Sequence, residues 1–150
     1  MDKFIGKIIQ GRTIQAAFQR GKVYANNITQ KERVDLKKSI KEELKKIAKK
    51  YINPVSENNH INNIKHLSQI ISKKHTKILK KGLLRIGTSQ KLLNVYIKFL
   101  WCLGKVAKPP HCPIDGIVLY EIGDYRNWTD LKTITEYKDV ISKIRKHIGN

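Results

Sequence analysis

Lys91 and Asp115 are the residues of this chain best suited to chemistry, for complementary reasons. A lysine amine attacks carbon in its neutral form, which a cation-rich, partly desolvated setting favours. A carboxylate nearby can stabilise positive charge as it develops, or activate the attacking group. Asp115 is the first acid after Glu57, and the 57 residues between them hold eleven Lys or Arg and four His. A one-signed segment of that length suits a polyanion. An acid at its edge would repel phosphate, so its isolation marks it as a candidate for chemistry. Two plainer readings stand beside this one. Lys91 is one of 31 basic residues and can belong to a solvated face. Asp115 can simply cap the helix that follows it.

Other reactive side chains give weaker patterns. Cys102, His111 and Cys112 show no C-x-x-C or H-x-x-H spacing and would need the distant His75 as a fourth ligand, so no metal is expected. Nothing points to another cofactor. His60, His66 and His75 have no evident Ser or Cys partner for a triad. His75 or His111 with Lys91 could serve a metal-free nuclease. Trp101 and Trp128 can stack on bases, but core packing is their commoner use. Cys102 lies on an apolar pattern and reads as a small core residue.

The elements that must position these groups read as helices. Phe4, Ile5, Ile8 and Ile9 begin a pattern that Ile14, Ala17 and Phe18 continue past Gly11, with Gly21 as its stop. Thr29 and Glu32 have capping-box spacing. Leu36, Ile40, Leu44, Ile47 and Tyr51 then form one apolar face, the lysines between them a solvated one, and Asn53-Pro54 ends the helix. Asn58-Asn59-His60 opens the next helix. A short helix at Ile78 and Leu79 is expected to end at Lys80-Lys81-Gly82. Leu83 to Ser89 reads as a connector. Gln90 to about Leu103 is apolar enough to be the central helix. A proline-rich loop follows, then a short helix after Asp115, although Ile117–Tyr120 also has strand composition. Thr133 and Glu136 make a second capping box, and Tyr137, Val140, Ile141, Ile144 and Ile148 give the last helix its apolar face. The expectation is a single all-α domain over residues 1–150, with about six to eight helices.

Within it, Gly87-Thr88-Ser89-Gln90-Lys91, followed by Ile114-Asp115-Gly116, resembles the motifs of helix-hairpin-helix DNA glycosylases. In that family a Gly-x-Gly-x-Lys run opens a helix and an aspartate follows it. Ser89 stands where the second glycine would be, and the Lys108–Cys112 loop lengthens the interval to Asp115. The resemblance covers about a quarter of the chain. It implies that Lys91 is a nucleophile for the sugar of a flipped nucleotide and Asp115 its electrostatic partner. It also implies that Gly87, Thr88, Ser89 and Gln90 hold a phosphate at a helix N-terminus. Lys77, Lys80, Lys81, Arg85 and Lys98 would supply the surrounding field.

The bulk charge supports a polyanionic partner independently. A formal net charge of +19 destabilises the compact state by self-repulsion, so a compensating anion is expected. Nucleic acid, DNA first, is the leading candidate. No apolar run approaches the roughly 20 residues that span a bilayer, and no signal peptide is evident. Two cysteines, Cys102 and Cys112, do not make a disulfide framework in a chain this size, so a reducing cytoplasm is the expected location, nucleoid-associated if DNA is the partner. Two alternatives remain open: a non-catalytic basic nucleic-acid-binding module, and a helical interaction domain that binds an acidic partner.

Overall fold

The computed structural model describes residues 1–20 and 22–149, and among them six α-helices share one hydrophobic core, as the periodicity predicts. Local signals set most boundaries. Helix α1 (Lys3–Phe18) starts where the Asp2 carboxylate accepts the Phe4 N–H at 2.6 Å. Gly11 does not break it, and the expected stop at Gly21 lies outside the described residues. Helix α2 (Gln30–Ala48) starts at Thr29, whose Oγ1 accepts the Glu32 N–H. A 3-10 turn, Lys49–Tyr51, extends it. The predicted stripe Leu36, Ile40, Leu44, Ile47 and Tyr51 is at most 1% exposed. Each such side chain contributes about 1.5–3 kcal/mol by leaving water.

Helix α3 (Glu57–Lys74) begins one residue before the predicted Asn58, because the Ser56 hydroxyl accepts the Asn59 N–H. Helix α6 (Ile134–Ile148) opens with the full reciprocal capping box of Thr133 and Glu136. Between them lie α4 (Ile86–Cys102) and α5 (Gly116–Glu121). Segment Ile117–Tyr120 is helical, not extended, since Asp115 Oδ1 caps the Val118 N–H at 3.0 Å. Helix α4 is central, packed against α1, α2, α3 and α6.

Three expectations fail here for physical reasons. The supposed connector before Gln90 supplies the first turn of α4, which begins at Ile86. There is no helix at Ile78–Leu79. Leu79 instead bridges Tyr24 in an antiparallel pair, with Ala25 N–H to Ile78 O and Lys80 N–H to Val23 O both at 2.8 Å. Lys80–Gly82 then forms a tight 3-10 turn with Lys81 and Gly82 both left-handed, φ 55° and 71°. Finally, the last turn of α4 runs past the core. Trp101 is 40% exposed and Cys102 is exposed, so neither is the core residue its apolar neighbours suggested.

Candidate functional site

Lys91 and Asp115 meet. Lys91 Nζ lies 2.9 Å from Asp115 Oδ2 at the edge of an open cleft of about 490 Å³ between α1, α4 and α5. The lysine side chain is 10% exposed and the carboxylate 33%, so the pair is half-sunk but reachable. The Trp128 ring centroid is 5.6 Å from the same Nζ, within cation–π range. Gln19 and Arg20 just after α1 and Tyr120 from α5 complete the walls used below. Burial pushes the Asp115 carboxyl up. The Lys91 hydrogen bond and the Val118 and Ile117 amides outweigh it and hold the group below the usual carboxylate range. Asp115 thus serves both as the cap of α5 and as the partner of Lys91.

One buried side chain sets this meeting. The Gln90 carboxamide donates to Ile114 O at 2.7 Å and accepts from Ile114 N at 3.0 Å. Gln90 has no solvent exposure. This two-point grip fixes the backbone just before Asp115 against the residue just before Lys91. Gln90 Oε1 also accepts from Asn94 Nδ2 at 3.1 Å, which ties the grip to a longer chain of polar groups.

That chain crosses the core with one sense of donation. Lys50 Nζ donates to Asn63 Oδ1, and Asn63 Nδ2 to the Tyr51 oxygen. The Tyr51 hydroxyl meets His60 Nδ1 at 2.7 Å, and His60 Nε2 meets Asn94 Oδ1 at 2.7 Å. Asn94 Nδ2 donates to the Tyr137 oxygen, whose hydroxyl meets His111 Nδ1 at 2.7 Å. His111 Nε2 ends on Glu57 Oε1, which Arg145 also holds. Every contact is satisfied with both histidines neutral and carrying the proton on Nε2. Burial pushes His60 down to about 4, and lowers His111 despite the neighbouring Glu57 carboxylate. His111 therefore serves the core through both ring nitrogens, while Cys112 beside it is exposed. Among the described residues no group of three or more His, Cys, Asp or Glu could hold a metal ion. Cys102, His111, Cys112 and His75 are thus not gathered.

The other sequence-predicted site residues divide. Gly87, Thr88, Ser89 and Gln90 form no exposed hairpin for a phosphate. All four are buried in the first turn of α4, with Thr88 at 1% and Ser89 and Gln90 at 0%. The glycine is needed for packing. A Cβ at Gly87 would fall 2.0 Å from the Trp128 carbonyl oxygen, and its N–H donates to Leu131 O at 2.8 Å. Lys98 is exposed two turns along α4 from Lys91. Lys80, Lys81 and Arg85 line a different cleft on the far side of the 128–131 segment, and Lys77 is exposed outside both. Arg20 and Tyr120 went unnoticed in the sequence. Arg20 lies 71 positions before Lys91, and no local signal marks it.

No family model, curated protein or solved structure matches this chain. Among the described residues no helix is long and apolar enough to cross a membrane.

Proposed function

We propose that the chain is a DNA-binding protein that acts on a flipped damaged base as a glycosylase with lyase activity. Lys91 is its nucleophile and Asp115 its partner. The observation that carries this reading is the 2.9 Å approach of Lys91 Nζ to Asp115 Oδ2 beside an open cleft, in a chain of net charge +19. Lys91 gives a proton to Asp115 or water and attacks the sugar carbon that carries the base. The base leaves with the electron pair of the broken C–N bond. Opening of the sugar ring yields a protonated imine on Lys91, whose positive charge faces Asp115. A proton then passes from the neighbouring carbon to Asp115 or water, and the freed electron pair expels the 3′ phosphate, which leaves with the electrons of its C–O bond. Arg20 at the cleft takes phosphate contacts that the buried Gly87–Gln90 turn cannot make, and Lys98, exposed two turns along α4, adds to the field.

Borohydride reduces such an imine to a stable amine. Incubation with duplexes carrying abasic sites or a panel of damaged bases should therefore give a covalent adduct. Lys91→Arg keeps the ion pair but cannot form the imine, and should abolish the adduct while binding persists. Absence of adduct across the panel rejects the enzymatic reading.

A second reading has its own support. Asp115 caps α5, and the first turn of α4 is buried, as expected of a non-catalytic basic module. Binding would then be steeply salt-dependent without an adduct, and Asp115→Asn would tighten it slightly by removing repulsion. Affinity for DNA no better than that of any cationic protein would instead favour an acidic protein partner.

A further inference from the structure

The second cleft, of about 510 Å³, falls within the volume range of small-molecule sites and is floored by Leu84, Ile86 and Ile134. Its rim carries Lys65 from α3, Lys80 and Lys81 from the tight turn, Arg85, and Lys132 just before α6. The single acid on the rim, Asp130, is already bonded to Arg85 at 2.9 Å. Lys65, Lys80, Lys81 and Lys132 make no ion pair among the described residues. Lys81 holds a left-handed backbone, φ 55°, that a lysine adopts at some strain. Leu83 beside it is 61% exposed at the cleft mouth.

We propose that this cleft holds one unpaired nucleotide of a single-stranded nucleic acid. The base lies on the aliphatic floor and against Leu83, and the phosphates on either side of it meet the lysines. The arrangement of charge decides the class of ligand. The four unpaired cations come from three separate elements, so they face anionic groups on more than one side of the bound body. A strand brings a phosphate before and after each base. A fatty acid or alkyl phosphate brings one head and needs one side of the rim. A duplex keeps its bases stacked inside and offers nothing to the apolar floor. The proposal rests on the nucleic-acid reading above but not on catalysis, since Lys91 and Asp115 lie in the other cleft.

The test is fluorescence anisotropy with a labelled oligothymidine octamer and a mixed-sequence duplex, at an ionic strength of about 0.15 M. Competition with thymidine monophosphate and with dodecyl phosphate completes it. Leu83→Ala removes apolar surface at the mouth without touching charge or core. It should weaken the octamer about tenfold, the worth of part of a base contact, and leave the duplex unchanged. The double variant Lys80→Gln/Lys81→Gly suits the left-handed backbone and removes two cations. It should weaken the octamer and lower the slope of log K against log salt by about 1.4. Lys45→Gln/Lys46→Gln on the exposed face of α2 is the control and should change the octamer by at most about twofold.

The monophosphate should compete weakly, which places the ligand within a strand. Its competing as well as the octamer overturns the strand and leaves a free-nucleotide site. Tighter binding of dodecyl phosphate overturns the base. An equal loss in the α2 control, or no change in Leu83→Ala, reduces the cleft to general cationic surface. Borohydride trapping through Lys91 is read separately, so failure of either reading is distinguishable from failure of the other.

Discussion

The two clefts flank the same stretch, the start of α4 and the 128–131 segment, yet treat charge in opposite ways. On one side Lys91 is matched by Asp115, half-buried and held by a carboxamide behind them. On the other, four lysines ring an apolar floor and the one acid is spent on Arg85. A matched pair has a fixed geometry and little net field, which suits a step that needs one atom placed against another. An unmatched ring has a strong field and loose geometry, which suits holding a polyanion. Sharing a wall makes the two clefts dependent on one another through Gly87.

The largest perturbation removes that wall. Gly87→Ala places a methyl group 2.0 Å from a backbone oxygen, so the 128–131 segment must move and both clefts deform together. A loss of about 4 kcal/mol or more in urea denaturation is expected. A smaller change with either cleft intact would show the wall to be adjustable.

Asn94→Leu separates the clefts. It strips partners from His60, Tyr137 and Gln90 at once, and should lower stability by about 3 kcal/mol. Its effect on function should fall on the Lys91 side, with octamer binding at the lysine rim kept.

Acid should act on the core next. The folded pKa of His60, about 4, lies below its unfolded value of 6.5, so the unfolded chain binds the proton first. Stability is complete above about pH 6.5 and falls towards pH 4 by about 3 kcal/mol. His111, also lowered, adds a loss of the same sign. Below that window Glu57, Asp115 and Asp124, all held down by hydrogen bonds to cations or amides, lose their contribution as they take up protons. A pH-independent melting temperature between 7 and 5 would contradict the neutral-histidine core.

The smallest expected effect is local. Asp115→Ala should cost about 1 kcal/mol more than Asp115→Asn, because only asparagine keeps the α5 cap. Both variants remove the carboxylate from Lys91, so they differ in stability while sharing any loss of adduct.

Sequence legibility followed range. Thr29, Asp115 and Thr133 announced their helices because a capping oxygen and the N–H that donates to it lie within three residues. The all-α class and the central place of α4 followed from periodicity. Gly87 misled because its neighbour is the carbonyl of Trp128, 41 positions on, so a packing glycine looked like a turn glycine. His60 and His111 carried no motif, since their partners Asn94, Tyr137 and Glu57 come from three helices or their ends. Cys102 and Trp101 looked buried because their helix is apolar, but the helix outruns the body it packs against.

The grip of Gln90 on Ile114 has a consequence for loop engineering. Because the backbone is pinned again immediately before Asp115, changes upstream at Lys108–Pro110 are insulated from the Asp115 carboxylate. Residues spliced in at Lys108–Pro110 should bulge outward and leave the amine–carboxylate distance untouched, making that bend a natural port for a reporter peptide or a tether.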